Sequence, residues 1–374
     1  MTTGADHRRP AWLDHRWHRT EKPKEGKRVE DTLLLCQPLG ERPLSLRRRG
    51  HEADWVVGIH FDFHTLLPKD LSYDIYVIQM AQFRETRLML RRLPELGKVG
   101  IVEVDDHVRA IPSYNPSFHA FRKKGGKAAR LEECVREADG VTVSTTELAE
   151  VFSPMNPNTF PLPNCIDLED PIWNPRVEKE EGRVVVGWAG SPTHLEDFRL
   201  VVPALEALCR RFPRVVVAVG GPEDVFGLLK EIPDRQKEFL PPVPFEEYPA
   251  MLARFDIGLV PLVDNAFNRC KSDLKGLEYS ALGIPFLASP LPAYRRLVNP
   301  GENGFLCQGT RDWLSLLSRL VEDESLRRRM GQRAREMARS RIYDEYAPLW
   351  EGILEALLLR RRLLNSLGSI VPSN

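Results

Sequence analysis

Short apolar runs alternate with amphipathic stretches along most of this chain, which is the pattern of a parallel sheet covered by helices on both faces. In the first half, the apolar runs predict strands at 32–36, 55–59, 73–78, 99–104, 141–144 and 159–162. The stretches between them predict helices at 83–93, 130–138 and 145–152, the last of which opens on threonines that can cap it. We therefore expect an α/β fold in this half.

The same alternation restarts after residue 182. Its predicted strands are 183–187, 215–219, 237–240, 257–262 and 286–288, and its predicted helices are 195–212, 245–254, 313–322, 325–339 and 353–367. Two such series predict two Rossmann-like domains that face each other across a cleft. Ligands of open parallel sheets bind at the carboxyl ends of the strands, so we expect the functional residues in the loops there.

Shifts in composition divide the chain further. Residues 1–30 are polar and basic, carry Trp12 and Trp17, and predict a flexible N-terminal arm. Residues 167–182 hold two prolines and a charge run, which is typical of an interdomain linker. The expected domains are therefore an N-terminal domain at 31–166, a C-terminal domain at 183–341 and a helical extension at 342–374.

The overall composition is that of an ordinary globular protein, with 42% apolar and 28% charged residues and a formal net charge of zero. A balanced charge gives no global field for nucleic acid or membrane. The 6 cysteines form neither a CxxC pair nor a metal-ligand spacing, which favours reduced thiols in a cytoplasmic protein over disulfides or zinc. No apolar run approaches the ~20 residues of a membrane span.

The stretch 267–285 concentrates polar side chains between two predicted strands. We expect a helix there whose first turn carries Lys271, Ser272 and Lys275, and which stops at Gly283. Cationic side chains beside the positive end of a helix predict a phosphate site. Glu278 lies two turns after Lys271, on the same predicted face, where its carboxylate could accept hydrogen bonds from ribose hydroxyls.

Three further loops follow predicted strands. Gly190 and Ser191 could bring backbone N–H groups to a phosphate, with His194 oriented towards a phosphate oxygen. A rigid proline-rich loop that contains Pro242 and Val243 could present its backbone to a flat base. In the first half, Asp105 and Asp106 follow the strand 99–104, where two adjacent carboxylates could bind a sugar hydroxyl, act as the base for an acceptor or bind a metal.

Together these segments resemble the donor-binding domain of GT-B glycosyltransferases, in the large retaining group of glycosyl transferases group 1-like proteins. The resemblance rests on GWAGSPTH (187–194), the GGP turn (220–222), FEEYPAMLARFDIGLVPL (245–262) and KSDLKGLEYSALGIPFLAS (271–289). It covers 183–350 and, to a lesser extent, 98–167. Such families have a terminal helix that packs back across both domains.

The resemblance implies transfer of a sugar from a nucleotide-diphosphate sugar with retention of anomeric configuration. It assigns Glu278 to the donor ribose, and Lys271, Lys275 and the Gly190–Ser191 turn to the diphosphate. Lys271 would act in catalysis by stabilising the leaving group, and neither a metal nor a cofactor is expected. Many members carry a second glutamate eight positions earlier, where this chain has Cys270. The identity of the transferred sugar therefore does not follow from the resemblance.

Two other functions fit the same residues. A noncatalytic nucleotide-sugar-binding protein would need the same lysines and glutamate, and a non-hydrolysing sugar-nucleotide epimerase would bind the same donor without an acceptor. The pair Asp105–Asp106 favours chemistry over binding alone. The acceptor stays open between polysaccharide, lipid-linked, protein and modified nucleic acid classes, and the Leu/Arg-rich terminal helix leaves peripheral membrane contact open.

Overall fold

The structure is a computed structural model that describes residues 31–36 and 55–59 as backbone strands, and residues 73–122 and 126–368 in full apart from the side chain at 368. The arm predicted for residues 1–30, with Trp12 and Trp17, lies outside these residues.

Among the described residues, the first sheet is built from six parallel strands in the order β2-β1-β3-β4-β5-β6. These are β1 (Asp31–Cys36), β2 (Trp55–Ile59), β3 (Ile75–Gln79), β4 (Val99–Val104), β5 (Gly140–Val143) and β6 (Thr159–Pro161). The central strands β3, β4 and β5 are apolar along almost their whole length because helices cover both faces. Helices α1 (Arg84–Arg92), α2 (Phe118–Arg122), α3 (Lys127–Glu137) and α4 (Thr146–Phe152) connect the later strands.

The second sheet has the order β12-β11-β10-β7-β8-β9, again with all neighbours parallel. Its strands are β7 (Val184–Ala189), β8 (Val215–Gly220), β9 (Lys237–Leu240), β10 (Ile257–Val260), β11 (Phe286–Ala288) and β12 (Gly304–Leu306). The order reverses at β7, which creates the topological switch point where open α/β sheets bind ligands. The prediction of two Rossmann-like domains is confirmed.

The helices of the second half are more numerous than predicted. They are α5 (Leu195–Arg199), α6 (Val202–Arg211), α7 (Glu223–Phe226), α8 (Tyr248–Leu252), α9 (Ala266–Arg269), α10 (Leu274–Ala281), α11 (Pro292–Leu297), α12 (Thr310–Glu322), α13 (Glu324–Ala338) and α14 (Tyr343–Gly368). The single helix predicted at 195–212 is wrong: it divides at residues 200–201. Pro203, near the start of α6, has no backbone N–H to donate to the carbonyl oxygen of Arg199. The helix α5 therefore ends at Arg199.

The helix predicted to start near Lys271 is also wrong in its first turn. The chain instead forms the one-turn α9 and then α10, and Lys271 and Ser272 lie in the loop between them. Tertiary contacts explain the break, because Phe267 and Cys270 are buried in the hydrophobic core of the N-terminal domain. Local helix propensity is weak beside such burial.

The last helix, α14, begins at Tyr343 rather than at residue 353 and contains Pro348 in its second turn. Four of its apolar side chains pack on the β3–β4 face of the first sheet: Ile353, Leu354, Leu357 and Leu358. The helix therefore returns from the C-terminal to the N-terminal domain, as the resemblance implied.

The segment predicted as a linker, 167–182, is packed against the second half. Trp173 is buried beside Leu277 and Ala338, and Asp170 caps the short 3₁₀ turn that presents it. Ile166, where the chain leaves the first domain, forms a bridge with Ile342, where the chain returns. The two crossings between the domains thus lie side by side.

Candidate functional site

A cavity of about 580 Å³ lies between the two domains, at the carboxyl ends of their strands. Its walls include seven of the residues that the sequence singled out, from both domains: Asp105, Asp106, His194, Lys271, Ser272, Lys275 and Glu278. Gly190, Ser191, Pro242 and Val243 are outside this set of lining residues. The structure therefore brings the predicted charged groups together and leaves the two predicted backbone loops beside them.

Lys275 forms the floor of the cationic side of the cavity. Its ammonium group donates a hydrogen bond to the carbonyl oxygen of Ala189 at the end of β7, and it lies 5.6 Å from the centre of the Trp188 ring. Burial lowers the pKa of Lys275, and the nearby Lys271 cation lowers it further while Glu278 opposes the change. A diphosphate placed here would offset the repulsion between the two ammonium groups.

Lys271 connects the two domains. Its Nζ lies 2.9 Å from Oδ1 of Asp106 and 4.5 Å from the centre of the Phe267 ring. Two residues proposed for opposite sides of the reaction therefore pair with each other. An anionic ligand would compete with Asp106 for this ammonium group, so binding would free the carboxylate to contact an acceptor.

Hydrogen bonds on both sides of Lys271 hold the loop between α9 and α10 against the N-terminal domain. The Thr145 hydroxyl donates to the carbonyl oxygen of Cys270 at 3.0 Å, and the Asn164 amide donates to the Ser272 hydroxyl at 2.8 Å. Asn164 also lines the cavity. These bonds fix the loop where a ligand would meet both domains.

Glu278 has a partner that the sequence reading missed. Its Oε2 accepts a hydrogen bond of 3.1 Å from the hydroxyl of Tyr248, which also lines the cavity. Burial, followed by the negative charge of Glu278, raises the pKa of Tyr248 well above its usual value, so the phenol keeps its proton. Tyr248 orients the Glu278 carboxylate, and both side chains line the cavity. The FEEYP segment gave no pattern that would have singled Tyr248 out.

His194 is held by a buried carboxylate that the sequence reading also missed. Its Nδ1 lies 2.8 Å from Oδ2 of Asp197, whose side chain is only 3% exposed. Oδ1 of Asp197 accepts two more bonds, both of 2.8 Å, from the Val263 amide and the Asn268 side chain. The spacing of three between His194 and Asp197 in one helical turn was the available signal.

The Gly190 loop does not present its amide as expected. The N–H of Gly190 donates to the carbonyl oxygen of Gly220 at 3.1 Å, so it extends the pairing of β7 with β8. Ser191 is exposed, and its hydroxyl contacts that of Thr193 at 2.6 Å. The sequence predicted that the backbone N–H of Gly190 meets a phosphate, but this N–H is already used within the sheet.

The GGP turn is packed tightly against that loop, which gives a stability prediction. Gly221 has a φ of 119°, and an added Cβ would lie 2.2 Å from the carbonyl oxygen of Gly190. Neither the backbone at Gly221 nor the carbonyl group of Gly190 can move aside without strain. Gly221→Ala should therefore lower the free energy of unfolding by about 2–5 kcal/mol. Urea unfolding followed by circular dichroism measures this. Gly227→Ala is the control, since nothing lies within 4 Å of its added Cβ. A smaller loss for Gly221→Ala than for this control would contradict the close packing.

The two candidates for base binding do not line the cavity. Pro242 is exposed, whereas Val243 is partly buried against the core cluster that contains Met251 and Leu252. Cys270 points away from the cavity into the N-terminal core, where burial raises the pKa of its thiol to about 11. The thiol is therefore a packing group at this position.

Within residues 73–122 and 126–367, no group of three or more His, Cys, Asp and Glu side chains is arranged to hold a metal ion. In the same part of the chain, no helix has the length and apolar character that crossing a bilayer requires.

Comparisons with known proteins agree with this architecture. Residues 200–346 match a family described as glycosyl transferase-like. The D-inositol 3-phosphate glycosyltransferase of Corynebacterium efficiens is 31% identical over 169 residues, which are 42% of this chain and 39% of that protein. The enzyme of the same name from Corynebacterium jeikeium is 30% identical over 164 residues, 40% of this chain and 38% of that protein. The match thus spans about two fifths of these relatives.

Solved structures share the fold at low sequence identity. Anabaena Alr3699/HepE, solved with UDP, has a TM-score of 0.56 at 14% identity and covers 91% of this chain and 100% of that one. The pneumococcal O-GlcNAc transferase GtfA, solved with UDP and GlcNAc, has a TM-score of 0.55 at 12% identity and covers 76% of this chain and 57% of that one. Residues 200–346 are therefore similar to the glycosyl transferase-like family, and the chain shares the two-domain GT-B fold of these solved structures.

Proposed function

We propose that the protein transfers a sugar from a nucleotide-diphosphate sugar to an acceptor hydroxyl, with retention of anomeric configuration. One observation carries the proposal. The cavity between the domains holds two cationic side chains, Lys271 and Lys275, beside the oriented carboxylate of Glu278, and faces Asp105 and Asp106 across the cleft. This arrangement suits a dianionic leaving group, a ribose and an acceptor in one enclosed space.

In this proposal the donor binds to the C-terminal domain. Lys271, Lys275 and the Ser272 hydroxyl contact the diphosphate, whose growing negative charge they stabilise as the glycosidic bond breaks. The Gly190–Ser191 turn closes the same side, with Ser191 as its remaining donor. Glu278 accepts from the ribose, and the loop with Pro242 and Val243 lies against the base. UDP in the two structural neighbours supports a nucleotide of this class.

The acceptor enters from the N-terminal domain. Asp105 and Asp106 lie at the end of β4, where they can orient an acceptor hydroxyl towards the anomeric carbon. Retention follows from the resemblance to the retaining group, in which the leaving phosphate and the acceptor share one face of the sugar. The anomeric configuration of the product, determined by nuclear magnetic resonance, tests it.

Incubation with a panel of UDP- and GDP-sugars tests the proposed activity. Release of nucleoside diphosphate that depends on an added acceptor supports transfer. Isomerisation of the donor without an acceptor would indicate an epimerase instead. Tight binding of a nucleotide sugar without release of nucleoside diphosphate and without isomerisation would reject an enzymatic function.

The role of Glu278 gives a second test. Glu278→Gln keeps the shape of the side chain but removes its charge, and a hydrogen bond to a charged group is worth about 1.5–3 kcal/mol. We expect affinity for the matching nucleoside diphosphate to fall about 10–150-fold by calorimetry. The 2′,3′-dideoxy nucleotide, which has no ribose hydroxyls, should bind equally to both forms.

Glu231→Gln is the control for this test, because Glu231 is an exposed glutamate of the same domain. A Glu278→Gln variant that still prefers the ribonucleotide as strongly as the parent protein would refute the ribose assignment.

A further inference from the structure

The contact between His194 and Asp197 defines the hydrogen-bonding character of one wall of the cavity. Asp197 is an acceptor on all sides: Oδ1 receives the Val263 amide and the Asn268 amide, and Oδ2 faces Nδ1 of His194 at 2.8 Å. Because its other contacts are with N–H donors, this carboxylate also acts as the acceptor in its contact with His194. The proton between Asp197 and His194 therefore belongs to Nδ1 of the ring.

This assignment fixes the other ring nitrogen. In a neutral imidazole that carries its proton on Nδ1, Nε2 has a lone pair and can only accept a hydrogen bond. His194 lines the cavity and its side chain is 16% exposed, so Nε2 is the polar atom that it offers to a ligand. The Trp188 ring packs edge-on to the imidazole at 6.4 Å and restricts its rotation.

The protonation state of the ring supports the same conclusion. Burial lowers the pKa of His194, and the cations of Lys275 and Lys271 lower it further, against the opposing effect of Asp197. At neutral pH the ring is therefore uncharged. An ionised phosphate oxygen has no proton to give to Nε2, so the phosphate role expected from the sequence does not suit this nitrogen.

We propose that His194 forms a subsite for a sugar hydroxyl, which donates its hydrogen bond to Nε2, while Asp197 is the positioning residue that fixes the tautomer. The inference rests on the proposed function, because it places the donor sugar next to the diphosphate held by Lys271 and Lys275. Asp197 also accepts hydrogen bonds from Val263 and Asn268, in the segment that follows β10. The same carboxylate therefore holds both His194 and that segment in place.

The experiment compares donor analogues with and without single hydroxyls. UDP-glucose, UDP-N-acetylglucosamine, GDP-mannose and their monodeoxy forms are titrated calorimetrically against the full chain, with UDP and GDP as references. The quantity compared is the gain in affinity from the sugar beyond that of the nucleotide alone. We expect the loss of one particular hydroxyl to lower affinity about 5–150-fold, since it leaves Nε2 buried without a donor.

Two variants separate the subsite from a structural role. His194→Asn keeps a side-chain N–H near the position of Nδ1, so it preserves the bond to Asp197 but removes Nε2. His194→Gln retains an acceptor close to the position of Nε2. We expect His194→Asn to bind the parent sugar and its deoxy form equally, and His194→Gln to recover part of the preference. Because every comparison is a ratio within one variant, a general loss of folding does not produce this pattern.

The pH dependence provides an independent measurement. The charged groups that act on the ring are Asp197 on its own segment and Lys271 and Lys275 from the α10 side; the carboxylates of Asp105, Asp106 and Glu278 line the same cavity. Protonation turns Nε2 into a donor, so the preference for the hydroxyl should disappear as the pH falls through a value below the usual range of histidine. It should be fully present at pH 7 and above.

Several results would overturn the inference. If His194→Asn retains the preference for the hydroxyl, Nε2 is not its partner. If that variant instead weakens UDP or GDP themselves, the ring binds phosphate. If no sugar adds affinity to its nucleotide, no hydroxyl is bound at this wall. In the last two cases the parent protein still binds the nucleotide, which supports the proposed function. The proposed function fails separately if UDP and GDP do not bind to the parent protein at all.

Discussion

Lys275→Met will lower kcat/KM for the nucleotide-sugar donor by about 10²–10³-fold, the usual cost of removing one group that stabilises charge in a transition state. The ammonium group of Lys275 is fixed before any ligand arrives, by the carbonyl oxygen of Ala189 below it and the Trp188 ring beside it. A prearranged cation loses little free energy to reorganisation when the leaving diphosphate develops its charge. Methionine keeps the length and the apolar stem but removes the charge.

Lys237→Met is the matched control for this prediction. Lys237 belongs to the same domain, donates to the carbonyl oxygen of Leu229 at 3.3 Å and lies 5.9 Å from the centre of the Phe226 ring. It therefore has the same types of neighbour but no contact with the cavity, and we expect kcat/KM to change less than about threefold. Steady-state release of nucleoside diphosphate measures both variants. Equal effects of the two substitutions would remove Lys275 from the proposed site.

Arg341→Ala will cost about 3–5 kcal/mol of the free energy of unfolding, because it strands a buried charge. Arg341 and Asp273 form two contacts of 3.0 Å, with 15% and 10% of their side chains exposed. The guanidinium group also donates to the carbonyl oxygen of Asn164 at 2.8 Å. One side chain thus joins the start of α10 to the N-terminal domain beside both chain crossings.

Two further variants sharpen this prediction. Arg333→Ala breaks an exposed pair with Glu336, in which the arginine is 70% exposed, and should cost less than about 1 kcal/mol. Asp273→Asn in the Arg341→Ala background removes the stranded charge and should recover part of the loss. Urea unfolding followed by both fluorescence and circular dichroism gives the free energies. A cost for Arg341→Ala close to that of Arg333→Ala would mean that the pair is solvated.

Most strands were predictable from the sequence because they are short apolar runs, which is typical of strands that helices cover on both faces. The break between α9 and α10 was not predictable in the same way. Residues 267–273 satisfy a helical pattern locally, and only the N-terminal core, far away in the sequence, accounts for the position of Phe267 and Cys270. Boundaries set by distant contacts do not appear in local periodicity.

The residues of the candidate site also differ in how far the sequence alone predicts them. Lys271, Lys275 and Glu278 could be found because their spacing is local and their charges are unusual between two strands. Tyr248, the partner of Glu278, comes from another segment, and in the sequence it resembles an ordinary helix residue. A pattern along the chain predicts which side chains carry charge, whereas the groups that orient them depend on how separate loops meet.

The burial of Phe267 and Cys270 in the opposite domain has an energetic consequence for the cleft. Separating the domains would transfer these side chains to water, and re-exposing a buried phenylalanine costs about 1.5–3 kcal/mol. This contribution to closure depends on no ligand. The apolar contact therefore holds the two domains together in the unliganded protein. The binding free energy of the donor is then not needed for closure and can stabilise the transition state.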